Sequence, residues 1–282
     1  MTPTTVLVDR DASSTNAPIR VFRWTRMLLH IAQGLLVTLL IYPRVKPQLR
    51  AAVTQAWSAK MLRILNITLA VHGARPAEHT QKLFVVANHV SWLDIFVINA
   101  TVPSRFVAKS EIRDWPIAGA LCDAAGTIFV HRAKRSDTAR INAEIHDALE
   151  QGDSVAMFPE GTTTAGDRLL KFHTSLFEPA VVNTALLAPA AIRYRQINGE
   201  RTAAATFIGE ITFIESVSAI IAQKKMIAEI TFAPAIDTTA LSRRQAALDA
   251  ENAIAAILDV PKPHAHQRFG DGAAPLAVHA AD

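Results

Sequence analysis

Apolar positions divide the chain into a helical front and an alternating body. Residues 27–42 are almost uncharged and leucine-rich, lie between arginines, and stop at Pro43. The run is shorter than the ~20 residues that cross a bilayer, so it either spans marginally or lies partly embedded. Trp24 and Tyr42 at its ends suit interfacial anchors. Residues 49–69 set Trp57, Met61, Leu62, Leu65 and Ile67 among Arg50, Lys60 and Arg63. That pattern predicts an amphipathic helix lying flat on a membrane surface; the competing reading is a soluble helical hairpin packed on the core.

From residue 70 onward, short apolar runs alternate with helical periodicities. Runs at 70–72, 83–87, 105–108, 127–131, 154–158, 187–192, 204–207 and 227–232 predict strands. Segments 94–100, 116–124, 135–151, 174–183, 216–221 and 242–258 predict helices. The best marked is 135–151, with Ile141, Ile145 and Leu149 near helical spacing and Gly152 at its end. The expected fold is α/β: a mixed, largely parallel sheet flanked by helices, preceded by the N-terminal amphipathic pair. Residues 1–18 are polar and rich in Pro, Thr and Ser, and 261–282 follow Pro261 as an Ala/His/Pro tail. Both are expected to be disordered, leaving 19–69 as a membrane-associated segment and 70–260 as the main domain.

Composition sharpens this picture. Half of the 282 residues are hydrophobic; the mean hydropathy of +0.19 is high for a freely soluble enzyme and low for a polytopic membrane protein. Cys122 is the only cysteine, which excludes an intrachain disulfide and a cysteine-cluster metal site. The histidines at 131, 146 and 173 lack short-range ligand spacing, so no metal is expected. The net charge is only +4, yet residues 12–77 contain no Asp or Glu. The same stretch carries Arg20, Arg23, Arg26, Arg44, Lys46, Arg50, Lys60, Arg63 and Arg75. A basic, acid-free, apolar region favours an anionic lipid surface as partner over nucleic acid.

Four segments at strand ends carry candidate chemistry, where open α/β sheets place their sites. In Asn88-His-Val-Ser-Trp-Leu-Asp94, a histidine precedes a carboxylate by five positions. Along one helix that separation is about 500°, and the side chains would diverge. They meet only if His89 lies in the turn before a helix and Asp94 in its first turns. Such a pair suits a general base and its orienter, or else a helix-start histidine and an aspartate serving the helix dipole. In Gly126-Thr-Ile-Phe-Val-His-Arg132, an apolar strand ends in a guanidinium able to grip phosphate. Phe158-Pro-Glu-Gly-Thr-Thr-Thr164 turns on Gly161, offers the Glu160 carboxylate, and adds the hydroxyls of Thr162, Thr163 and Thr164. The run 187–194 places Pro189 in an apolar strand, which suggests an edge or a strand start.

In this order the four segments resemble the blocks of the glycerolipid acyltransferases, the 1-acyl-glycerol-3-phosphate acyltransferases and their relatives. The Asn-His-x-x-x-x-Asp block stands at 88–94, Gly-x-Ile-Phe-x-x-Arg at 126–132, Phe-Pro-Glu-Gly-Thr at 158–162, and the strand proline at 189. The resemblance implies transfer of a fatty acyl group from an acyl-CoA or acyl carrier protein thioester to a lysolipid hydroxyl, with no resident cofactor. It makes His89 the base and Asp94 its orienter, and assigns Arg132, Glu160, Gly161 and Thr162 to the acceptor. It also implies an enzyme working among membrane lipids, at the cytoplasmic face of the inner membrane. Many lysophosphatidate-specific members carry Arg where this chain has Thr163, and a Lys-Gly pair where it has Lys171-Phe172. Lysophosphatidate is the first expected acceptor; lyso-ornithine lipid or another lysophospholipid is the alternative.

Overall fold

The computed structural model describes residues 14–77, 80–115, 118–130 and 137–263. An eight-stranded sheet is built from β1 (Ile67–Gly73), β2 (Leu83–Ala87), β3 (Ser104–Lys109), β4 (Ile128–Val130), β5 (Ser154–Met157), β6 (Leu186–Arg195), β7 (Met226–Phe232) and β8 (Ile236–Asp237). The order is β1-β7-β6-β2-β5-β3-β4, with β8 paired to β6. The block from β6 to β4 is parallel; β7 runs antiparallel to β6, and β1 parallel to β7. The fold is therefore a mixed, mostly parallel sheet, as the alternating pattern predicts.

Helices cover both faces. α1 (Ala17–Leu40), α2 (Pro47–Ile64), α3 (Leu93–Thr101) and α7 (Phe213–Ala222) share one core with Val85, Ala87, Ile192 and Ile230. α5 (Asp137–Glu150), α6 (Glu178–Val182) and α8 (Arg243–Leu258) share the other with Phe84, Val86, Met157 and Leu187. α4 (Ala118–Ala124) lies between β3 and β4 in the chain. Every residue of β2 is buried, because successive side chains enter opposite cores. That central strand ends at Ala87, directly before His89.

The N-terminal pair departs from its expected disposition. Met61, Leu62, Leu65 and Ile67 are buried in the core, and Trp57 stacks against His30 of α1 and packs on Phe96 of α3. The apolar face of 49–69 thus meets protein, as in the competing hairpin reading, and Ile67 already belongs to β1. Tyr42 hydrogen-bonds Thr54 at 2.7 Å, and Trp24 packs on the core rather than standing free. Arg23 is buried and donates to the carbonyls of Ile221, Gln223 and Lys224, closing the end of α7. Residues 14–18, within a segment expected to be disordered, are part of the fold: the Thr15 amide bonds Ala222 O and α1 starts at Ala17, while residues 1–13 and 264–282 lie outside the described residues. One face of α1 stays exposed and apolar, through Phe22, Leu28, Leu29, Leu36, Leu39 and Leu40. Among the described residues, no helix is long and apolar enough to cross a membrane.

Three smaller differences have simple causes. Residues 204–207 form a turn rather than a strand, with Ala204 and Ala205 buried in the core shared by α1, α2, α3 and α7. The segment 174–183 is a short 3-10 turn followed by α6, since Pro179 suits only a first helical turn. Pro189 sits inside a central strand, not at an edge. Its carbonyl accepts from Ala233, on the side where β6 passes from β8 to β7. A strand residue directs its N–H and C=O to the same side, so the missing N–H falls in that gap.

Candidate active site

The segment after β2 makes the predicted strand–turn–helix transition. Asn88 extends the sheet with its side chain, accepting from the Ile192 amide at 2.7 Å and donating to the Ile192 carbonyl at 3.1 Å. The backbone then turns, and α3 begins at Leu93 with Asp94 in its first turn. His89 and Asp94 meet as the spacing requires, with Nδ1 2.9 Å from Oδ2.

Asp94 is fully buried, while the His89 side chain is 20% exposed. Oδ2 also accepts the backbone amides of Val90 at 2.7 Å and Ser91 at 2.9 Å. Oδ1 accepts the Tyr194 hydroxyl at 2.7 Å. A carboxylate surrounded by donors can only accept, so the Nδ1–H of His89 donates to it. That tautomer leaves Nε2 with a lone pair for an incoming proton. The imidazole lies flat on Phe158, ring centroids 3.9 Å apart and planes 6° apart, and Phe106 stacks behind Phe158. The ring is held in plane by one contact and in rotation by another.

The turn after β5 closes on the same residue. Glu160, 3% exposed, accepts the His89 amide on Oε1 and the Leu170 amide on Oε2, each at 2.8 Å. Burial pushes its carboxyl up to about 7 despite these two amides, and the Asp94 charge adds to the rise. Gly161 turns at φ 70°, a conformation that favours glycine. The Thr164 amide donates to the His89 carbonyl at 2.8 Å, so the 158–164 turn grips His89 through both backbone groups. Thr163 gives its hydroxyl to the Phe207 carbonyl, and the Phe207 amide bonds Val90 O at 3.0 Å.

Of the residues singled out from sequence, His89, Asp94, Glu160 and Gly161 come together. Thr162 is exposed in the same turn. Arg132 lies outside the described residues. Each oxygen of Glu160 holds a backbone amide, so the residue also has a part in shaping the turn beside the one expected of it toward the acceptor. Tyr194 was not among the candidates, although it bonds Asp94 directly. A buried tyrosine in an apolar strand signals a hidden polar partner, but nothing in the sequence names that partner.

Similarity to known proteins fits this geometry. A 1-acyl-sn-glycerol-3-phosphate acyltransferase of Neisseria gonorrhoeae is 36% identical over 204 residues, covering 72% of this chain and 79% of that one. Residues 68–193 match the family model described as Acyltransferase. The chain belongs to the acyltransferase family. A lyso-ornithine lipid O-acyltransferase of Pseudomonas aeruginosa is also similar to this acyltransferase, 34% identical over 206 residues, covering 73% and 78% of the two chains. The crystal structure of the 1-acyl-sn-glycerophosphate acyltransferase PlsC from Thermotoga maritima shares the fold, with a TM-score of 0.59 at 18% identity, covering 92% of this chain and 98% of that one. The acyltransferase thus joins a mixed, mostly parallel α/β sheet to a histidine–aspartate pair at the end of its central strand.

Proposed function

We propose that the acyltransferase moves a fatty acyl group from a thioester of coenzyme A or acyl carrier protein to the free hydroxyl of a lysolipid, first 1-acyl-sn-glycerol-3-phosphate. The observation that carries this reading is the His89–Asp94 contact, which favours the tautomer with its proton on Nδ1 and so offers the Nε2 lone pair of a partly exposed ring. Nε2 takes the hydroxyl proton as the oxygen attacks the thioester carbonyl carbon. The tetrahedral intermediate collapses, the C–S bond breaks, and the imidazolium returns its proton to the leaving thiolate. Asp94 stabilises the imidazolium between those steps, an acid–base contribution of about 10²–10⁴-fold. No covalent acyl-enzyme is needed.

A second acceptor class has an observation in its favour. Thr163 stands where many lysophosphatidate-specific relatives carry arginine, and its hydroxyl is turned onto the Phe207 carbonyl. Position 163 therefore offers no cation to a phosphate monoester, which suits lyso-ornithine lipid or a capped lysophospholipid. Work on either acceptor places the enzyme at a membrane, which we assign to the cytoplasmic face of the inner membrane. The exposed apolar face of α1, close to Arg20 and Arg26, supports lipid contact.

One assay separates these readings. Purified protein is given a long-chain acyl thioester and parallel vesicles carrying lysophosphatidate, lyso-ornithine lipid or no acceptor, and bound protein is recovered by sedimentation. The expected result is vesicle-bound enzyme and a diacyl product only where a lysolipid is present. Release of free fatty acid without any diacyl product would replace acyl transfer by hydrolysis. Protein left wholly in the supernatant would remove the membrane assignment.

A further inference from the structure

We infer that Tyr194 is a positioning residue for acyl transfer: through Asp94 it fixes the His89 imidazole and sets how readily that ring takes a proton. The inference rests on the proposed role of His89 as base. Three N–H donors converge on Asp94 Oδ2, from His89, Val90 and Ser91, whereas Oδ1 is bonded only by the Tyr194 hydroxyl among the described residues. The single bond to Oδ1 stops the carboxylate from rotating away from the imidazole. Without it a fully buried carboxylate oxygen is unsatisfied, an arrangement proteins avoid.

The position of Tyr194 is itself fixed. It lies on β6 two residues beyond Ile192, whose amide and carbonyl are both taken by the Asn88 side chain. The sheet therefore delivers the phenol to Asp94 with the same clamp that places His89. Burial and the Asp94 charge hold the phenol well above its ordinary range, so it stays a donor at any working pH. The other ionisable groups around the network act differently. Glu160, from the turn after β5, bonds the His89 backbone; Glu251 of α8 accepts the Phe172 amide and acts on Glu160 through its charge. Arg193 and Arg201 border the small cavity beside Val90 and Tyr194.

A hydrogen bond to a carboxylate spreads its charge and weakens its hold on a neighbouring proton. The coupling can therefore be tuned in both directions. Tyr194→Phe removes one oxygen and leaves the ring. In a folded variant, kcat falls about ten- to a hundred-fold, KM for thioester and lysolipid changes less than two-fold, and the acid limb of the pH–rate profile moves to higher pH. The chain has two tyrosines, so 3-fluorotyrosine incorporated into a Tyr42→Phe background labels Tyr194 alone. Its more acidic phenol donates more strongly, and the acid limb moves to lower pH. The same opposite shifts are expected in the proton NMR titration of the His89 imidazole without substrate, assigned by its absence in His89→Gln. If Tyr194→Phe does not fold, the fluorinated protein still decides the matter. A titration unmoved in the folded proteins overturns the role of Tyr194. A titration that shifts as expected while His89→Ala keeps full turnover overturns the proposed base instead.

Discussion

Asp94 and Glu160 are both buried carboxyl groups in contact with His89, one on its imidazole and the other on its backbone. Asp94 gathers four donors, including the Tyr194 hydroxyl and the imidazole itself. Glu160 has two backbone amides, and burial still lifts its carboxyl to about 7. The two buried groups thus differ in their donors, four against two, and for Glu160 the two amides do not offset desolvation. On this reading Asp94 serves the proton transfer, whereas Glu160 shapes the loop that carries the base.

Neutralising each carboxyl group in turn separates their roles. Asp94→Asn keeps the shape but offers the imidazole an amide, which no longer requires the productive tautomer. The expected loss in kcat is about 10²–10⁴-fold with little change in KM; a loss below ten-fold in a folded protein would give Asp94 a purely structural role. Glu160→Gln should cost less than about ten-fold in kcat, since the residue acts through the backbone. Its larger signature is in stability. The folded-state carboxyl titrates near 7, above its ordinary 4.5, so its contribution is complete below pH 4.5 and is lost as pH rises through 7. Urea unfolding of the wild type should show about 3 kcal/mol less stability from this group at pH 8 than at pH 4.5. That part of the pH dependence should vanish in Glu160→Gln. Parallel profiles for the two proteins would show that Glu160 is not strained by its burial.

Much of the site was legible because its geometry is local. Five positions from His89 to Asp94, after the apolar run of β2, allow contact only across a turn into a helix, and the chain folds that way. The body of the sheet was legible for the same reason: its strands are short apolar runs with clear ends. What the sequence hid is long-range. Tyr194 reaches Asp94 across 100 positions of sequence, and in its own strand it stands between Arg193 and Arg195, neither of which points to that partner. Nor does anything local show that the His89 and Leu170 amides fold onto Glu160. The 49–69 segment misled for a different reason. An apolar face flanked by basic residues is the same pattern whether it meets lipid or α3, and only packing distinguishes them. β8, two residues long, is too short to carry any periodicity.

The proton acceptor we propose for acyl transfer is the imidazole of His89, presented by Asp94. The direct measurement is the steady-state rate of His89→Ala against wild type, with one acyl thioester and an accepted lysolipid in vesicles. The expected result is a fall in kcat of at least about 10²-fold, with unchanged vesicle binding and an unchanged circular dichroism spectrum. A folded, vesicle-bound His89→Ala protein that turns over at the wild-type rate would contradict it.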